Sequence, residues 1–413
     1  MLADFVLELI SAPGTGTITL PNTAPTGRVT WIIGFGSTRQ PVIYVLDDTT
    51  QEEWGVGTLI PGSPNTITRD YVIRNSAGTQ ALLNFTASST RCYNGMPAGV
   101  LLAAIGGNAG RNLFHNGLFR VAQRGAGAFT TSVYTADRWA QSVTGGTIST
   151  TISALADADR TAIGDEAATS GLAVVTVGGS SAGDNTWFEQ RIEDVRRTAN
   201  KVITVSFWAK ASAATPKVGV NWFQVFGTGG SPSANVGGTA QSATLSTTWA
   251  RYTLTFAVSS IATKTLGSGG NDYLTIRFHT SSGATLNTQS GTIGVQNSTQ
   301  TFWGIQAEIS PAPTLIDKPD IGAEYAQCQR FYQTYTGIRI SGYLAGAGTG
   351  YLDFPLPVRM RGTPTLAYSN QAYTNGSAFA TDAANLGHMR FSMTVTGAGA
   401  FIGTADATIS ADL

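Results

Sequence analysis

The side chains able to do acid–base or metal chemistry are few and scattered. Three histidines, His115, His279 and His388, lie far apart along 413 residues. None sits in an HExxH, GxSxG or Walker pattern. Gly55-Val56-Gly57-Thr58 is too short to cradle a phosphate. Glycoside hydrolysis needs two carboxylates a fixed distance apart. The candidates are Asp157 with Asp159, Asp165 with Glu166, and Glu189 with Glu193 and Asp194. The first four fall in a Gly/Ala/Thr-rich stretch that reads as loop. Glu189, Glu193 and Asp194 alternate with Arg191, Arg196 and Arg197, the pattern of a solvated, salt-bridged face. Asp184-Asn185 beside Gly183, and Asn271-Asp272, offer oxygens of the kind calcium takes. No DxDxDG spacing supports either pair, and ordinary Asx turns account for both. Cys92 and Cys328 form no CxxC knuckle and are expected as buried free thiols. No catalytic residue, metal site or cofactor is therefore expected, and the chain is not expected to be an enzyme.

Aromatic side chains are the class whose clustering points to a ligand. Trp187, Trp208, Trp222, Trp249 and Trp303 all fall in the central part of the chain, with Phe188, Phe207, Phe223, Phe226 and Tyr252 beside several of them. Sugar rings present C–H faces that stack on aromatic planes, but aromatics also dominate cores. Trp208, Trp249 and Trp303 lie inside strands and are expected in the core. Trp222 is ambiguous, because its neighbour Phe223 must point the other way. Trp187 precedes the charged run and is free to be exposed. Trp187 and Trp222 are thus the glycan-binding candidates.

The elements that must position these residues are strands. Charged residues make up 12% of the chain, about half of the ~25% usual in soluble domains. Lys+Arg and Asp+Glu are 25 each, so the basic excess of a nucleic-acid binder is missing. The 49 glycines against 15 prolines suit many short strands with tight turns. No apolar run is long enough for a membrane-spanning helix, so no membrane insertion is expected. Met1-Leu2-Ala3-Asp4-Phe5 shows neither basic residues nor an apolar core, so no secretory signal is expected.

Five segments are expected. Residues 1–97 read as a small β domain with strands near 5–10, 17–20, 28–35, 41–46, 66–74 and 81–85. Residues 98–111 are a Gly-rich linker. Residues 112–316 form the largest β domain, with strands near 201–210, 217–226, 248–258, 273–279 and 301–309. In the first of these, Ile203, Val205, Phe207 and Ala209 face one way and Thr204, Ser206 and Trp208 the other. Residues 317–337 are a helical connector, with Asp320 as cap and Ile321, Tyr325, Cys328, Phe331 or Tyr332, and Tyr335 at helical spacing. Residues 338–413 return to β. The fold class is mostly β: multidomain antiparallel β-sandwiches, a central jelly roll, and one short helix linking to a C-terminal β domain.

Asn112-Leu113-Phe114-His115-Asn116-Gly117-Leu118-Phe119-Arg120-Val121-Ala122-Gln123-Arg124-Gly125 resembles a stretch that opens a jelly-roll domain in bacteriophage tail-fibre and related virion proteins. The similar pattern continues with Tyr134-Thr135-Ala136-Asp137-Arg138-Trp139, with 205–211 and with 248–256, and closes with Trp303-Gly304-Ile305-Gln306-Ala307-Glu308-Ile309. The segments 205–211 and 248–256 also resemble carbohydrate-binding modules of jelly-roll type. Cys328-Gln329-Arg330-Phe331-Tyr332 resembles a segment that follows this domain in phage proteins, with Phe331 where Tyr is commoner. Trp54-Gly55-Val56-Gly57-Thr58, Thr68-Arg69-Asp70-Tyr71-Val72-Ile73 and Ser76-Ala77-Gly78 resemble a module at the front of phage fibres.

The resemblance implies a bacteriophage virion protein, assembled in the host cytoplasm. Residues 1–97 would attach it to other virion proteins, and the jelly roll would bind host surface polysaccharide. It also implies a homotrimer. The helix candidate near 321–335 is then expected either at the threefold axis or packed on its own jelly roll. The alternative is a purely structural virion decoration, such as a head spike, collar or tail-tip component. A depolymerase is a third reading, but no β-helix repeat supports it.

Overall fold

The computed structural model describes residues 3–95, 111–213 and 215–413. The expected linker, Arg111 apart, and the last residues of the first domain lie outside them. The chain divides into two compact units, Met1–Gly107 and Asn108–Leu413.

In the first unit seven strands form one antiparallel sheet. Its order is Leu7–Ile10, Thr90–Tyr93, Gln40–Asp47, Glu52–Ile60, Asn65–Ile67 and Ile18–Leu20, with Tyr71–Asn75 also paired to Glu52–Ile60. Residues 28–35, expected as a strand, contain the helix Trp31–Phe35 instead. The Thr30 hydroxyl caps it by accepting from Ile33 N at 3.2 Å, and Trp31 stacks on Phe35 at 5.3 Å. An i,i+4 pair of buried rings with Ile33 exposed is a helical pattern. Residues 81–85 make only an isolated bridge, between Phe85 and Gly14. Arg69 is buried against Glu53, with Nη2 to Oε2 at 2.6 Å, and Tyr44 OH donates to Glu53 Oε1 at 2.9 Å. A Cβ on Gly55 would collide with the Tyr44 ring. The glycines of the Trp54-Gly55-Val56-Gly57-Thr58 stretch thus sit inside a strand because side chains and backbone pass close over them.

The second unit opens with a two-sheet sandwich, the expected jelly roll. One sheet has five strands: Thr147–Ala154, Ser170–Val177, Ser298–Ile309, Val202–Ala211 and Ala250–Ala257. The other has seven: Val236–Gly237, Lys217–Val225, Tyr273–Ser282, Asn185–Glu193, Trp139–Thr144 and Val133–Tyr134 in order, with Gln241–Thr244 also paired to Lys217–Val225. All these pairs are antiparallel. Ile203, Val205, Phe207 and Ala209 enter the core between the sheets, while Trp208 joins a second apolar cluster with Trp249, Trp303 and Leu118. That cluster includes Ile163 of the helix Asp157–Ile163. The stretch expected to be loop is therefore helical, ended by Gly164 at φ 74°. This cluster covers part of the five-stranded sheet's outer face, while Val175 and Val177 on that face stay exposed.

The chain then makes the helix Ile321–Gln329, with Asp320 Oδ1 accepting from Gly322 N at 2.9 Å and Ala323 N at 3.2 Å. It stops short of the expected 335, because Tyr332–Leu344 is already a strand paired with Gly399–Ser410. The helix also buries a different stripe: Glu324 and Cys328 are inside, whereas Ile321 and Tyr325 are 46% and 42% exposed. Two three-stranded sheets close the fold. One orders Tyr332–Leu344, Gly399–Ser410 and Thr365–Thr374; the other Gly348–Pro355, His388–Val395 and Gly376–Ala384. Their core holds Ile340, Met389, Phe391, Met393 and Ile409.

Phe278 is the centre of the jelly-roll core. It stacks on Phe188 at 4.8 Å and meets Phe207 at 5.6 Å and Trp139 at 6.1 Å. Phe278→Ala should cost about 3–5 kcal/mol of stability, read as a lower denaturant midpoint for the second unit's transition.

Candidate functional site

Strand alternation gives the seven-stranded sheet two unlike faces. Phe188 and Ile192, Val220 and Trp222, and Ile276 and Phe278 point into the core. Their neighbours in sequence point outward. Across the three central strands, Trp187 pairs with His279 and His279 with Gly219; Glu189 with Arg277 and Arg277 with Asn221; Arg191 with Thr275 and Thr275 with Phe223. The outer face is thus a patchwork of half-buried Trp187, Phe223 and Tyr273 with charged and amide groups between them. One end of it is roofed, since a Cβ on Gly219 would collide with the Ser290 carbonyl of the short helix Asn287–Ser290. At the other end the Leu413 carbonyl accepts from Tyr134 OH at 2.7 Å and from Arg191 Nη1.

Glu189 organises this face. It is 4% exposed, not on the solvated face its charge pattern suggests. Its two oxygens take Arg191 Nε at 2.9 Å and Arg277 Nε at 2.8 Å, and Trp187 Nε1 donates to Oε2 at 3.2 Å. Burial pushes the carboxyl up, but the Arg277 and Arg191 guanidinium groups outweigh it and hold the acid below the usual range. The Arg277 Cζ lies 5.1 Å from the Trp187 ring centroid and 4.5 Å from that of Phe223, so the guanidinium is held by two aromatic faces as well as by the carboxylate. His279 is fully buried between Asn185 and Asn221, with Nδ1 3.1 Å from one amide oxygen and Nε2 3.2 Å from the other. Burial, with Arg277 beside it, pulls the imidazole down to about 3.

Of the two expected glycan candidates, Trp187 lies on this outer face. Trp222 lies in the core, 3% exposed, where its ring has no open side. Its burial follows from the alternation that turns Phe223 outward. Phe223, Tyr273, Asn221 and Arg277 were not singled out from sequence, although outward parity relative to Trp222 picks out Phe223 and Asn221. Glu193 lies on the same strand face, opposite Tyr273, while Asp159, Asp165, Asp184 and Asp272 are engaged elsewhere. Asp159 takes Lys210 Nζ at 2.5 Å and Trp249 Nε1 at 2.8 Å, and Asp165 pairs with Lys318 at 2.6 Å. Asp272 Oδ2 accepts from Val195 N at 2.9 Å, and Asn271 Oδ1 from Thr228 N at 2.9 Å, long-range links instead of local Asx turns. Asp184 Oδ2 accepts locally from Ser181 N at 2.8 Å. Cys92 and Cys328 are both unpaired and buried.

The segments 112–125, 134–139 and 328–332 converge elsewhere, at the junction of jelly roll and C-terminal sandwich. Asn116, at φ 55°, is fully buried. Its Nδ2 donates to Val121 O at 2.8 Å and Asp137 O at 3.2 Å, and its Oδ1 accepts from Val121 N at 3.0 Å. Its backbone N donates to Glu324 Oε1 at 3.0 Å, and its carbonyl accepts from Trp139 Nε1 at 3.1 Å. Asp137 accepts from Gln123 N at 2.6 Å and Nε2 at 2.7 Å, and Gln123 Nε2 also reaches Tyr332 O at 2.9 Å. The Arg138 guanidinium lies 3.3 Å from the Phe331 ring centroid, and that of Arg124 3.6 Å from Tyr332. Glu193 accepts from Arg330 Nη1 at 3.0 Å and Arg361 Nε at 3.1 Å.

No protein-family model matches the chain, and no curated protein matches it. Solved structures do resemble part of it. The enzymatically active domain of bacteriophage CBA120 tailspike protein 4 is 15% identical, at TM-score 0.27, over 48% of this chain and 21% of that one. A family 11 carbohydrate-binding module from Clostridium thermocellum, in complex with a β-1,3-1,4-mixed-linked tetrasaccharide, is 13% identical, at TM-score 0.28, over 43% of this chain and 91% of that one. The N-terminal cellulose-binding domain of Cellulomonas fimi β-1,4-glucanase C is 13% identical, at TM-score 0.27, over 46% of this chain and 99% of that one.

Two outcomes are expected. Asn116→Ala leaves several buried partners unsatisfied and should cost about 2–3 kcal/mol, measured by chemical denaturation. His279 binds a proton in the unfolded chain below its ordinary 6.5 but in the folded chain only near 3. The unfolded state therefore holds more protons across that window. Stability should fall as pH drops from 6.5, by up to about 1.4 kcal/mol per pH unit. Urea midpoints at neutral pH and near pH 5 check this; the dependence should be shallower in His279→Gln, and an unchanged slope there rejects the assignment.

Proposed function

We propose that this chain is a non-enzymatic structural protein of a bacteriophage virion, a tail fibre or spike that binds host surface polysaccharide. Its N-terminal domain, residues 1–97, holds it to other virion proteins, and the protein is a homotrimer. The virion reading is supported by the ordered run of tail-fibre-like segments from Trp54 to Tyr332. The glycan reading is carried by one observation: half-buried Trp187, Phe223 and Tyr273 share the outer face of the seven-stranded sheet with Arg277, Asn221 and Glu189. Sugars need that combination, rings for their C–H faces and fixed polar groups for their hydroxyls.

Binding of the full-length purified protein to intact host cells and to their extracted surface polysaccharide tests this. Trp187→Ala should weaken binding about tenfold, or ~1.4 kcal/mol. Tyr343→Ala, at a side chain 73% exposed on the C-terminal sandwich, should leave binding unchanged. No binding to cells or polysaccharide at high multivalent loading would sink the receptor role and leave a structural decoration.

A further inference from the structure

The outer face carries an unused guanidinium fork. Arg277 spends only Nε, on Glu189 Oε2 at 2.8 Å. Among the described residues its two terminal nitrogens donate no hydrogen bond, and its side chain is 28% exposed. Arg191 is committed by contrast: Nε and Nη2 reach Glu189 Oε1, each at 2.9 Å, and Nη1 donates to Leu413 O. Next to Arg277 in register is Asn221, 1% exposed, whose amide faces the neutral His279 ring at 3.2 Å. On the neighbouring outward position of Arg277's own strand, Thr275 is fully buried and its Oγ1 has no partner. Buried polar groups are nearly always satisfied, and those that are not call for an explanation. Arg191 and Arg277 share the Glu189 carboxylate, and His279 is neutral at physiological pH.

We infer that the Arg277 fork, set between Trp187 and Phe223 with Thr275 beside it, recognises the carboxylate of an acidic sugar in a polysaccharide chain. The inference rests on the reading of this face as a glycan site and names the substrate class. A carboxylate takes two parallel N–H donors of a guanidinium in bidentate fashion. The sugar ring then lies against Trp187 or Phe223. A neutral hexose leaves the fork unmatched. The chemistry is shared by uronic acids and by sialic-type sugars.

The test is binding of the full-length protein to polygalacturonate and to polysialic acid, each before and after carboxyl reduction, with neutral barley β-glucan and with dextran sulfate alongside. The expected result is binding to at least one acidic polymer, weakened at least tenfold by its carboxyl reduction. Arg277→Gln should abolish that preference, and Arg277→Lys, which keeps the charge beside Glu189 but not the fork, should restore little of it. Thermal melts of both variants confirm that they fold. Equal binding to native and reduced polymers, or binding only to β-glucan, overturns the acidic-sugar inference and leaves the glycan reading standing. Dextran sulfate bound as tightly as the acidic polymers shows simple ion exchange and also overturns it. No binding to any polymer overturns the inference, and absence of binding to host cells as well removes the glycan reading with it.

Discussion

The buried side chain of Asn116 is the constraint on which the second unit depends. It closes its own loop through Val121, ties that loop to Asp137, and its backbone reaches Glu324 and Trp139. Every partner is itself buried or nearly so. A half-satisfied network at this depth costs more than none, so the neighbouring choices follow. Gly117 must lack a Cβ because the Ile305 carbonyl lies against it. Gln123 must reach both Asp137 and Tyr332 O. Arg138 and Arg124 must lie over Phe331 and Tyr332. The result is a polar seam that holds the helix Ile321–Gln329 and the first strand of the C-terminal sandwich against the jelly roll.

The helix Asp157–Ile163 and its apolar cluster cap part of the five-stranded sheet's outer face, and the seven-stranded sheet keeps an open stretch on its own. The C-terminal segment reaches Arg191 and Tyr134 at one end of that face, and Asn287–Ser290 covers Gly219 at the other. Between them Glu189 holds Arg277 in a fixed pose with two aromatic rings beside it. Burying an ionised carboxylate is costly unless it is paired and hydrogen-bonded. Glu189 is both, and the charge it carries preorganises the cation that remains exposed.

The first unit repeats this logic on a smaller scale. Glu53 takes Arg69, Tyr44 and the Leu83 N–H, so a buried carboxylate again gathers separate segments. Gly55 and Gly57 of the same strand admit the Tyr44 ring and the Thr68 backbone that pass over them.

By itself the sequence determined the mostly β character, the sandwich class, the alternation in 203–209, the Asp320 cap and the burial of both cysteines. These follow from local rules: side-chain parity, turn residues and capping chemistry act over a few residues. Tertiary structure decided the rest. Residues 31–35 became a helix because Trp31 and Phe35 bury together as an i,i+4 pair, and the 321 helix ended at Gln329 because Tyr332 is claimed by Gly399–Ser410. The sequence placed Trp222 and Phe223 on opposite faces but left open which face was core. Only the packing of the second sheet turned Trp222 inward and left Phe223 with Trp187 and Arg277 outside. Glu189 likewise reads as a surface charge until Arg277, 88 residues away along the chain, is brought beside it by strand pairing. Local pattern carries parity; which side is buried depends on partners that only the folded chain supplies.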